Sequence, residues 1–543
     1  MKKIMVLTFA LLFAFTLVSC DKSTTTTESN RTTVSNDSST ALTTTFNPTT
    51  PTEALSTVKE LGRTDITLDF WHSFDSDQLD SLDERIAAFE MIFPFITIHT
   101  TQKSDEDTLS RDITNSVLGG STPDIITGET YSIAKYNYSN LLVNLDDFLN
   151  SNDSYKIIDS DSPNYNQEIA ISYDMSHVIP GIANSNNIDN LGYKAIPMYF
   201  QTEVMLANVD ILLAHLSELR TAGIVISDNG YISKDTPLTY TQLSAIKSIL
   251  VDVNGADTTN MLSEYLMNYD FVSSLFLNAS KQLGLNLLDS TKSLVIHEDE
   301  TIIMLEYFDT LFSSNTLVLP TAWDQDYGSS NFKNGDVAFT VSRAEELRYN
   351  IPTTFNVDVL AIPQFATTPL EVITLGSNSF TSNQSNPFIS NSLAIIDNDD
   401  EDKTLMSYLF IKFLMEADFL AELSLLGTAY PALITAYSSE TSIDLGSTAA
   451  MSYKAFLDIA KGYWENDASV NWDTSDYKWD YLYQSMSANI AYSQLDNYFK
   501  YPIITTGVGL QGYGVLLDDL EDCLNNIYND VFTPLQALEE VMD

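Results

Sequence analysis

Strand and helix patterns alternate along the first part of the folded body. Residues 66–71 alternate between apolar and polar side chains, which predicts a strand. Apolar residues at helical spacing then occupy 79–93 and stop at Pro94, and further strands are predicted at 95–99 and 123–127. Strands that alternate with helices pair in parallel through crossover connections, so the pattern predicts an α/β architecture.

Side chains at the carboxyl ends of these strands are the first candidates for a ligand site. Ligands of open α/β sheets bind in the crevice beyond those ends. We therefore expect a cleft lined by the residues that end or follow the first and third strands. They are Trp71, His72, Ser73, Gly128, Glu129 and Tyr131.

The chain begins with a pattern typical of a secretory signal. Lys2 and Lys3 precede an apolar run over 4–18, which is too short to span a bilayer core of roughly 30 Å. Cys20 directly follows Leu-Val-Ser, which resembles the bacterial lipobox. We expect a signal peptide over 1–19 and a lipid on Cys20; an ordinary signal peptide that happens to contain a cysteine is the alternative.

The segment after the signal has a composition that disfavours folding. Residues 21–58 are rich in Ser, Thr, Asn and Pro, and Phe46 is their only aromatic residue. Such a stretch buries too little apolar surface to offset its ordering entropy, so we predict a disordered tether over 20–58. Cys523 is the only other cysteine, which leaves no disulfide partner once Cys20 is lipidated. The remaining body, about 485 residues, is long enough for two lobes.

The charge of the chain is strongly negative. Lys and Arg number 26 against 74 Asp and Glu, which gives a formal net charge of −48. Nucleic acid and an anionic membrane face would repel this chain, so we expect no nucleic-acid partner and membrane contact through the lipid anchor only. The acidic run 397–402 offers oxygen ligands for calcium but lacks the glycine of an EF-hand loop, and a solvated loop is the alternative.

Motifs of catalysis and metal binding are missing from the sequence. It contains no Gly-x-Ser-x-Gly elbow, no phosphate-binding P-loop, no His-Glu-x-x-His and no cysteine pair for zinc. The five histidines, His72, His99, His177, His215 and His297, do not have metal-ligand spacing. We therefore expect no enzyme activity, no metal and no cofactor. A carboxylate pair for glycoside hydrolysis stays open, because 74 acidic residues bring some pairs together by chance.

Nine short segments follow one another in an order typical of one family. They are 68–72 (LDFWH), 88–90 (AFE), 121–125 (STPDI), 141–146 (LLVNLD), 193–198 (YKAIPM), 204–208 (VMLAN), 237–240 (PLTY), 332–339 (FKNGDVAF) and 357–363 (VDVLAIP). In this order the chain resembles the extracellular solute-binding proteins of ABC importers, in the branch of the maltodextrin and other sugar receptors. It departs from the family at Asp336, where lysine is usual, and lacks an aromatic residue before Asn208.

The resemblance implies a type II binding-protein fold, in which two parallel-sheet α/β lobes close about hinge strands. It places an N-lobe at 62–200 with 360–402 and a C-lobe at 203–357 with 403–543. The expected crossings are 198–204 and 357–363. It further implies a monomeric, lipid-anchored receptor on the extracytoplasmic face of the cell membrane, which passes a sugar to ABC permease subunits.

A sugar receptor needs flat aromatic rings for C–H faces and a few fixed polar groups for hydroxyls. The candidate ligand-binding residues are Trp71, His72, Glu129, Tyr131, Gln201, Glu203, Tyr269, Trp323, Arg343 and Tyr430. Core packing, helix capping and surface ion pairs are their alternative roles. A late group of Trp464, Trp472 and Trp479 among acidic residues suits a long oligosaccharide, with a lid or surface role as the alternative.

Three other functions remain open at this point. A receptor for a polyamine or a peptide would share the anchor and the fold, and the negative charge would attract a polyamine. A surface-anchored glycoside hydrolase would share the anchor, the aromatic residues and the acid pairs. An adhesin would show regular strand-turn repeats, and the sequence contains no internal repeat.

Overall fold

The computed structural model describes most of the chain from residue 59 onward. The expected signal peptide over 1–19, Cys20 and the tether over 20–58 lie outside the described residues, as does Trp472. Residues 479 and 480 begin a helix, but their side chains are not described. The described ranges are 59–62, 64–187, 192–251, 262, 264–285, 298–427, 429–443, 451–465, 479–495, 498–500 and 512–542.

The strands of the described residues fall into one large sheet and three small ones. In chain order they are β1 Lys59–Leu61, β2 Ile66–His72, β3 Ile96–Gln102, β4 Ile125–Glu129, β5 Ser154–Ile157, β6 Glu168–Ala170, β7 Ile196–Asn208, β8 Met267–Tyr269, β9 Leu317–Val318, β10 Phe339–Arg343, β11 Val357–Leu360, β12 Glu371–Leu375, β13 Asn378–Ser382, β14 Asn386–Ile395, β15 Tyr430–Pro431, β16 Ser442–Ile443, β17 Met451–Ser452 and β18 Tyr498–Lys500.

Helices connect these strands and cover the large sheet. They are α1 Leu79–Ile92, α2 Glu106–Gly119, α3 Thr130–Tyr138, α4 Asp146–Leu149, α5 Pro180–Ala183, α6 Val209–Ala214, α7 Leu216–Thr221, α8 Tyr240–Leu250, α9 Val272–Gln282, α10 Glu298–Ser313, α11 Ser329–Asn334, α12 Leu347–Asn350, α13 Glu401–Leu414, α14 Ala417–Leu426, α15 Tyr453–Trp464, α16 Trp479–Ser493, α17 Gly512–Tyr528 and α18 Pro534–Met542. Within the described ranges, no helix is both long enough and apolar enough to cross a bilayer.

The large sheet confirms the predicted α/β architecture. Its main path runs β3-β2-β4-β14-β7-β10-β8-β9, with β11 and β15 also paired to β7 and β18 paired to β14. Strand β2 pairs in parallel with both β3 and β4, and α1 and α2 lie between them in the chain. The strand-helix-strand pattern of the sequence therefore gives the parallel crossover that was predicted.

Strand β7 joins two halves of this sheet. Its residues 196–202 pair antiparallel with β14, and residues 203–208 pair with β10 and β11. We call β2, β3, β4 and β14 the N-half and β8, β9, β10 and β11 the C-half. The expected crossing at 198–204 lies at this junction. The other expected crossing, 357–363, does not cross: β11 pairs with β7 at 205–208, and the chain returns to the N-half in β14.

Two large apolar clusters pack on the sheet, and the first extends from the N-half to Leu206 of β7 and to Val357 and Val359 of the C-half. Around the N-half, Phe89 packs its ring against Phe410 and Phe93 with centroids 5.1 and 4.7 Å apart. Around the C-half, Tyr240 packs edge-on against Phe308 at 5.6 Å. Each such aromatic pair contributes about 0.5–1.5 kcal/mol beyond its buried area.

Two segments pack on the half opposite to their expected lobe. Helix α13, expected with the C-lobe, packs on β2 and β14 of the N-half. Hairpin β12–β13, expected with the N-lobe, contacts α10, and Asn383 after it donates its backbone N–H to the carbonyl of Gln282 at 2.7 Å. These placements follow from which apolar core each segment packs against. Local sequence patterns do not contain that information.

Motif residues of the sequence begin several helices. The Asn208 side chain caps α6, accepting from the backbone N–H of Asp210 at 3.1 Å. Thr239 and Gln242 form a capping box at the start of α8. Capping satisfies backbone N–H groups that a helix leaves unpaired in its first turn, so these residues have a local structural role.

The acidic run 397–402 is part of the N-half. Asp400 caps α13 by accepting from the backbone N–H of Lys403 at 3.0 Å, and Lys403 also pairs with buried Asp124 at 2.9 Å. Asn398 donates to the other oxygen of Asp124 at 3.0 Å. Among the described residues, no group of three or more His, Cys, Asp or Glu is arranged to hold a metal ion.

Candidate functional site

The floor of a candidate site is one face of β7 where the two halves meet, and Gln201 is its partly exposed residue. Tyr199, Gln201 and Glu203 alternate along the strand and so share one face. Glu203 is 1% exposed, and one of its oxygens accepts from the Tyr269 hydroxyl at 2.6 Å. Burial raises the pKa of Glu203, and Arg343 opposes that shift. Tyr199 and Glu203 are separated by about 13 Å along the strand.

Two carboxyl groups of the N-half form one wall. Glu129 ends β4, and its backbone N–H donates to the Glu106 carboxylate at 3.0 Å. Ser73 donates its hydroxyl to the other oxygen of Glu106 at 3.4 Å. Burial raises the pKa of both carboxyls above their usual range, and the Glu106 charge adds to the shift of Glu129. This wall therefore holds two acids that resist carrying full charge together.

Arg343 and an aromatic ring form the facing wall. Arg343 ends β10 directly opposite Glu203 in the antiparallel register, and its guanidinium lies 3.8 Å from the centroid of the Phe271 ring. Tyr327 packs against the same ring with centroids 6.4 Å apart and is 50% exposed. A guanidinium over a ring contributes about 0.5–2 kcal/mol, which fixes Arg343 at the rim.

Asp270 is a second buried acid in this wall. It follows β8, and one oxygen accepts from the Gly328 N–H and from the Asn268 amide, each at 2.6 Å. Its other oxygen is buried and has no hydrogen-bond partner among the described residues. Burial raises the pKa of Asp270 to about 6, against the effect of those two donors. A side chain at Gly328 would overlap the Asn268 amide, so glycine is needed there.

The two walls face each other across β7. Arg348 of α12 approaches Asp75 of the N-half, with the guanidinium nitrogen 3.9 Å from the carboxylate oxygen. Glu129 is close enough to Glu345 and Arg343 for their charges to shift its pKa. The two walls meet over β7, with hydrogen-bond acceptors on both sides and rings at one rim, and we call this junction the cleft. It suits a ligand that presents many donors.

Four of the sequence-predicted residues come together in this cleft, namely Glu129, Gln201, Glu203 and Arg343. Gln201 is half-buried, and its side-chain oxygen has no partner within the described part of the chain. Tyr269 is fully buried, and its hydroxyl donates a hydrogen bond to Glu203. Their role in ligand binding stays a prediction that these positions favour.

The other candidates lie in packed surroundings. His72 is 1% exposed, accepts from the Phe74 N–H at 3.3 Å, and burial lowers its pKa to about 4. Tyr430 is fully buried against Phe200 with centroids 5.4 Å apart. Because neighbouring side chains bury them, these two rings have no face free for a sugar in this conformation.

The rings of Trp71, Tyr131, Trp323 and Trp464 pack against neighbouring residues. The Lys103 ammonium lies 4.2 Å from the Trp71 ring centroid. Trp71 and Tyr131 each pack against the apolar cluster that includes Leu109 and Ile113 of α2. Trp323 packs edge-on against Tyr265 with centroids 5.8 Å apart. The Lys234 ammonium lies 5.4 Å from the centroid of the Trp464 ring.

Sequence reasoning missed several cleft residues: Asp75, Asp270, Phe271, Tyr327, Glu345 and Glu346. The strand-end rule that selected Glu129 also applies to Asp270 and Phe271, which directly follow β8. It failed because Tyr269, one residue earlier, was chosen for its ring. Tyr327 lies in a loop with no local signal.

The sheet order, the junction at β7 and the cleft between the halves define a two-lobed α/β binding protein of type II. A family model for bacterial extracellular solute-binding proteins matches residues 84–451. The chain belongs to this family. No curated protein matches the sequence closely enough to count as a relative.

Solved structures share the fold at low sequence identity. The GacH receptor of Streptomyces glaucescens GLA.O aligns with a TM-score of 0.55 and 14% identity, covering 89% of this chain and 97% of the receptor. The substrate-binding protein Lmo0181 from Listeria monocytogenes aligns at 0.53 and 14%, covering 89% and 97%. A cyclic alpha-maltosyl-1,6-maltose binding protein from Arthrobacter globiformis aligns at 0.57 and 13%, covering 88% and 97%. At sequence identities this low, the structural similarity establishes the shared fold and does not establish a shared ligand.

Proposed function

We propose that this protein captures a carbohydrate, in particular an oligosaccharide, and delivers it to the permease of an ABC importer. The observation that carries the proposal is the cleft over β7, where Gln201, Glu203 and Glu129 offer acceptors beside the exposed Tyr327 ring. Hydroxyl groups need such acceptors, and sugar faces need such a ring.

The ligands of structural neighbours support the same ligand class. GacH was solved in complex with acarbose, Lmo0181 in complex with cycloalternan, and the maltose/maltodextrin-binding domain MalE from Bdellovibrio bacteriovorus bound to maltotriose. UgpB from Mycobacterium tuberculosis, with a TM-score of 0.54, was solved with glycerophosphocholine, so the fold also accepts ligands that are not oligosaccharides.

The proposed mechanism is closure of two lobes over the ligand. The Asp75–Arg348 pair joins the two halves of the sheet, and a ligand that contacts both walls would favour the closed form by its differential affinity for it. The observed packing favours lobe boundaries that differ from the sequence expectation: 360–383 with the C-lobe, and 386–443 with the N-lobe.

The proposal includes the anchor and its setting. Lipidation at Cys20 and a tether over 20–58 would hold a monomeric receptor on the extracytoplasmic face of the cell membrane, within reach of the permease subunits. The lipobox-like residues before Cys20 and the extracellular family support this part. Metabolic labelling with a fatty acid, compared between the wild type and Cys20→Ala, tests it.

A non-catalytic role is part of the proposal, and one observation favours a competing function. A glycoside hydrolase needs a carboxyl of raised pKa as its general acid, and the partly buried Glu129 carboxyl has such a pKa. Chromatography of oligosaccharides after long incubation with the protein separates the two functions. We expect the sugars to be recovered unchanged.

A thermal-shift screen of the chain from residue 21 tests the ligand class. The panel holds neutral mono- and oligosaccharides, amino sugars, spermidine and a peptide mixture. A ligand at 100 times its dissociation constant stabilises the folded state by about 2.7 kcal/mol, which raises the unfolding midpoint. A rise with saccharides supports the proposal, whereas a rise with spermidine or peptides alone would replace it with the polyamine or peptide receptor.

A further inference from the structure

The cleft contains far more anionic than cationic side chains. The described charged groups that face it or influence one another across it are Asp75, Glu106 and Glu129 from the N-half, Glu203 from β7, Asp270, Glu345 and Glu346 from the C-half, and the guanidinium groups of Arg343 and Arg348. Asp107, exposed on α2, adds a weaker negative influence on Glu106 and Glu129. Ionised together, these groups make the cleft strongly negative.

Both guanidinium groups already have partners in the cleft. Arg343 lies on the Phe271 ring, and Arg348 pairs with Asp75. The carboxyls that remain repel one another: burial and the charge of Glu345 raise the pKa of Glu346 to about 7. The Arg343 charge lowers the pKa of Glu129, Glu203 and Glu346 against the effect of burial. The seven described carboxyls still outnumber the two described guanidinium groups, so the cleft has a net negative charge when all of them are ionised.

Two buried carboxylate oxygens point to a missing partner. Asp270 is 6% exposed, and its second oxygen has no hydrogen bond within the described ranges. The second oxygen of Glu203 likewise has no bond of ordinary geometry to any described residue, although the Ser274 hydroxyl is near enough to lower the Glu203 pKa. A buried carboxylate without a donor costs several kcal/mol, so a ligand donor would relieve both.

The charge of the ligand determines whether the carboxyls of the cleft must take up protons when the lobes close over it. A neutral ligand would cover these carboxyls and remove water, and the cleft would then have to take up protons. A ligand cation offsets the same charges directly and leaves the carboxyls ionised. The exposed Tyr327 ring, close to Asp270 and Glu346, offers a face for the C–H groups beside an ammonium group.

We propose that the natural ligand of the cleft is a carbohydrate that carries at least one amino group, held by Asp270 and Glu203 with Glu346 at the rim. The inference rests on the proposed function and narrows its ligand class. Neutral sugars of the same shape bind more weakly, because they leave the buried acids without a counter-charge.

The test compares two ligands that differ chiefly in charge. Glucosamine trisaccharide and its fully N-acetylated form share a backbone, and only the first is cationic at about pH 6. Calorimetric titration of the chain from residue 21 should give an affinity at least about tenfold higher for the amino form. Raising the salt concentration should weaken the amino form and leave the acetylated form nearly unchanged.

Two variants and one control link the charge preference to the cleft. Asp270→Asn and Glu346→Gln should each lower the affinity for the amino form by about tenfold more than that for the acetylated form. The Glu346 side chain makes no cap hydrogen bond at the start of α12, so Glu346→Gln keeps the test valid if Asp270→Asn fails to fold. Glu371→Gln, on the exposed hairpin β12–β13, should leave both affinities unchanged.

Three other outcomes would each contradict part of the proposal. Equal or tighter binding of neutral saccharides would overturn the charged ligand and leave the carbohydrate receptor standing. Binding of spermidine with no saccharide would overturn the carbohydrate receptor itself. Tight binding of the amino form that survives both variants would contradict the assignment to Asp270 and Glu346.

Discussion

The hydrogen bond from Tyr269 to Glu203 links a fully buried ring to the floor of the cleft. Tyr269→Phe removes the donor and leaves a buried carboxylate with less compensation, so we expect a loss of about 1–3 kcal/mol in the free energy of unfolding. Urea denaturation at neutral pH measures it. Tyr327→Phe, in a half-exposed ring, is the matched control and should change stability by less than about 0.5 kcal/mol; equal losses would contradict the structural role of the bond.

The buried Asp270 carboxyl predicts an unusual dependence of stability on pH. Burial raises its pKa in the folded state from 3.8 to about 6, so between these values the folded state binds more protons than the unfolded chain. Stability contributed by this group is therefore present below about pH 4 and lost as the pH rises to about 6, amounting to about 1–3 kcal/mol. Urea titrations across this window should show a flatter profile for Asp270→Asn than for the wild type, and parallel profiles would contradict the burial of a charged group here.

At the level of single residues, the structure brings the polar candidates Glu129, Glu203 and Arg343 to the cleft and buries two of the ring candidates elsewhere. Ligand binding by any of them stays a prediction. Glu129, Glu203 and Arg343 face the cleft because strand ends and strand alternation determine their direction. His72 and Tyr430 are buried because their neighbours enclose them, and only the packed core determines that. An aromatic residue at a strand end gives the same sequence signal in either case.

Helix α13 begins at a cap that the acidic run provides. Asp400→Ala removes the acceptor for the Lys403 N–H, and such losses cost about 0.5–2 kcal/mol. Thermal unfolding measures the change in stability. Asp402→Ala, at the second residue of the same helix, is the control and should lower the stability less. Calcium should not restore the stability of Asp400→Ala; a calcium-dependent rise in the wild type that this variant loses would instead favour a calcium site.

At the scale of elements, local patterns identified the first strands and helices closely. The predicted helix over 79–93 is α1 Leu79–Ile92, and the predicted strand at 123–127 is β4 Ile125–Glu129. The resemblance implied a crossing over 357–363, whereas residues 357–360 form β11 of the C-half. Long-range contacts determine which strand pairs with which, and β11 pairs with residues 205–208 of β7.

The ion pair between Asp75 and Arg348 acts at the scale of the whole molecule. It is partly exposed, so Arg348→Ala should change the free energy of unfolding by less than about 1 kcal/mol. Loss of a contact that joins the halves should favour the open form and weaken ligand binding by about threefold. Calorimetry and small-angle scattering measure the two effects, and Arg111→Ala, exposed on α2, serves as the control that should leave both unchanged.

The claim that a carbohydrate binds over β7 is tested most directly by titrating saccharides into the wild type and Glu203→Gln. The screen identifies the saccharide, and Glu371→Gln serves as the matched distal variant. We expect a saturable heat with the wild type and Glu371→Gln, and an affinity at least about tenfold lower for Glu203→Gln, because a buried acceptor is altered. Equal affinity in all three proteins would place the ligand elsewhere, and no heat with any saccharide would contradict the carbohydrate receptor.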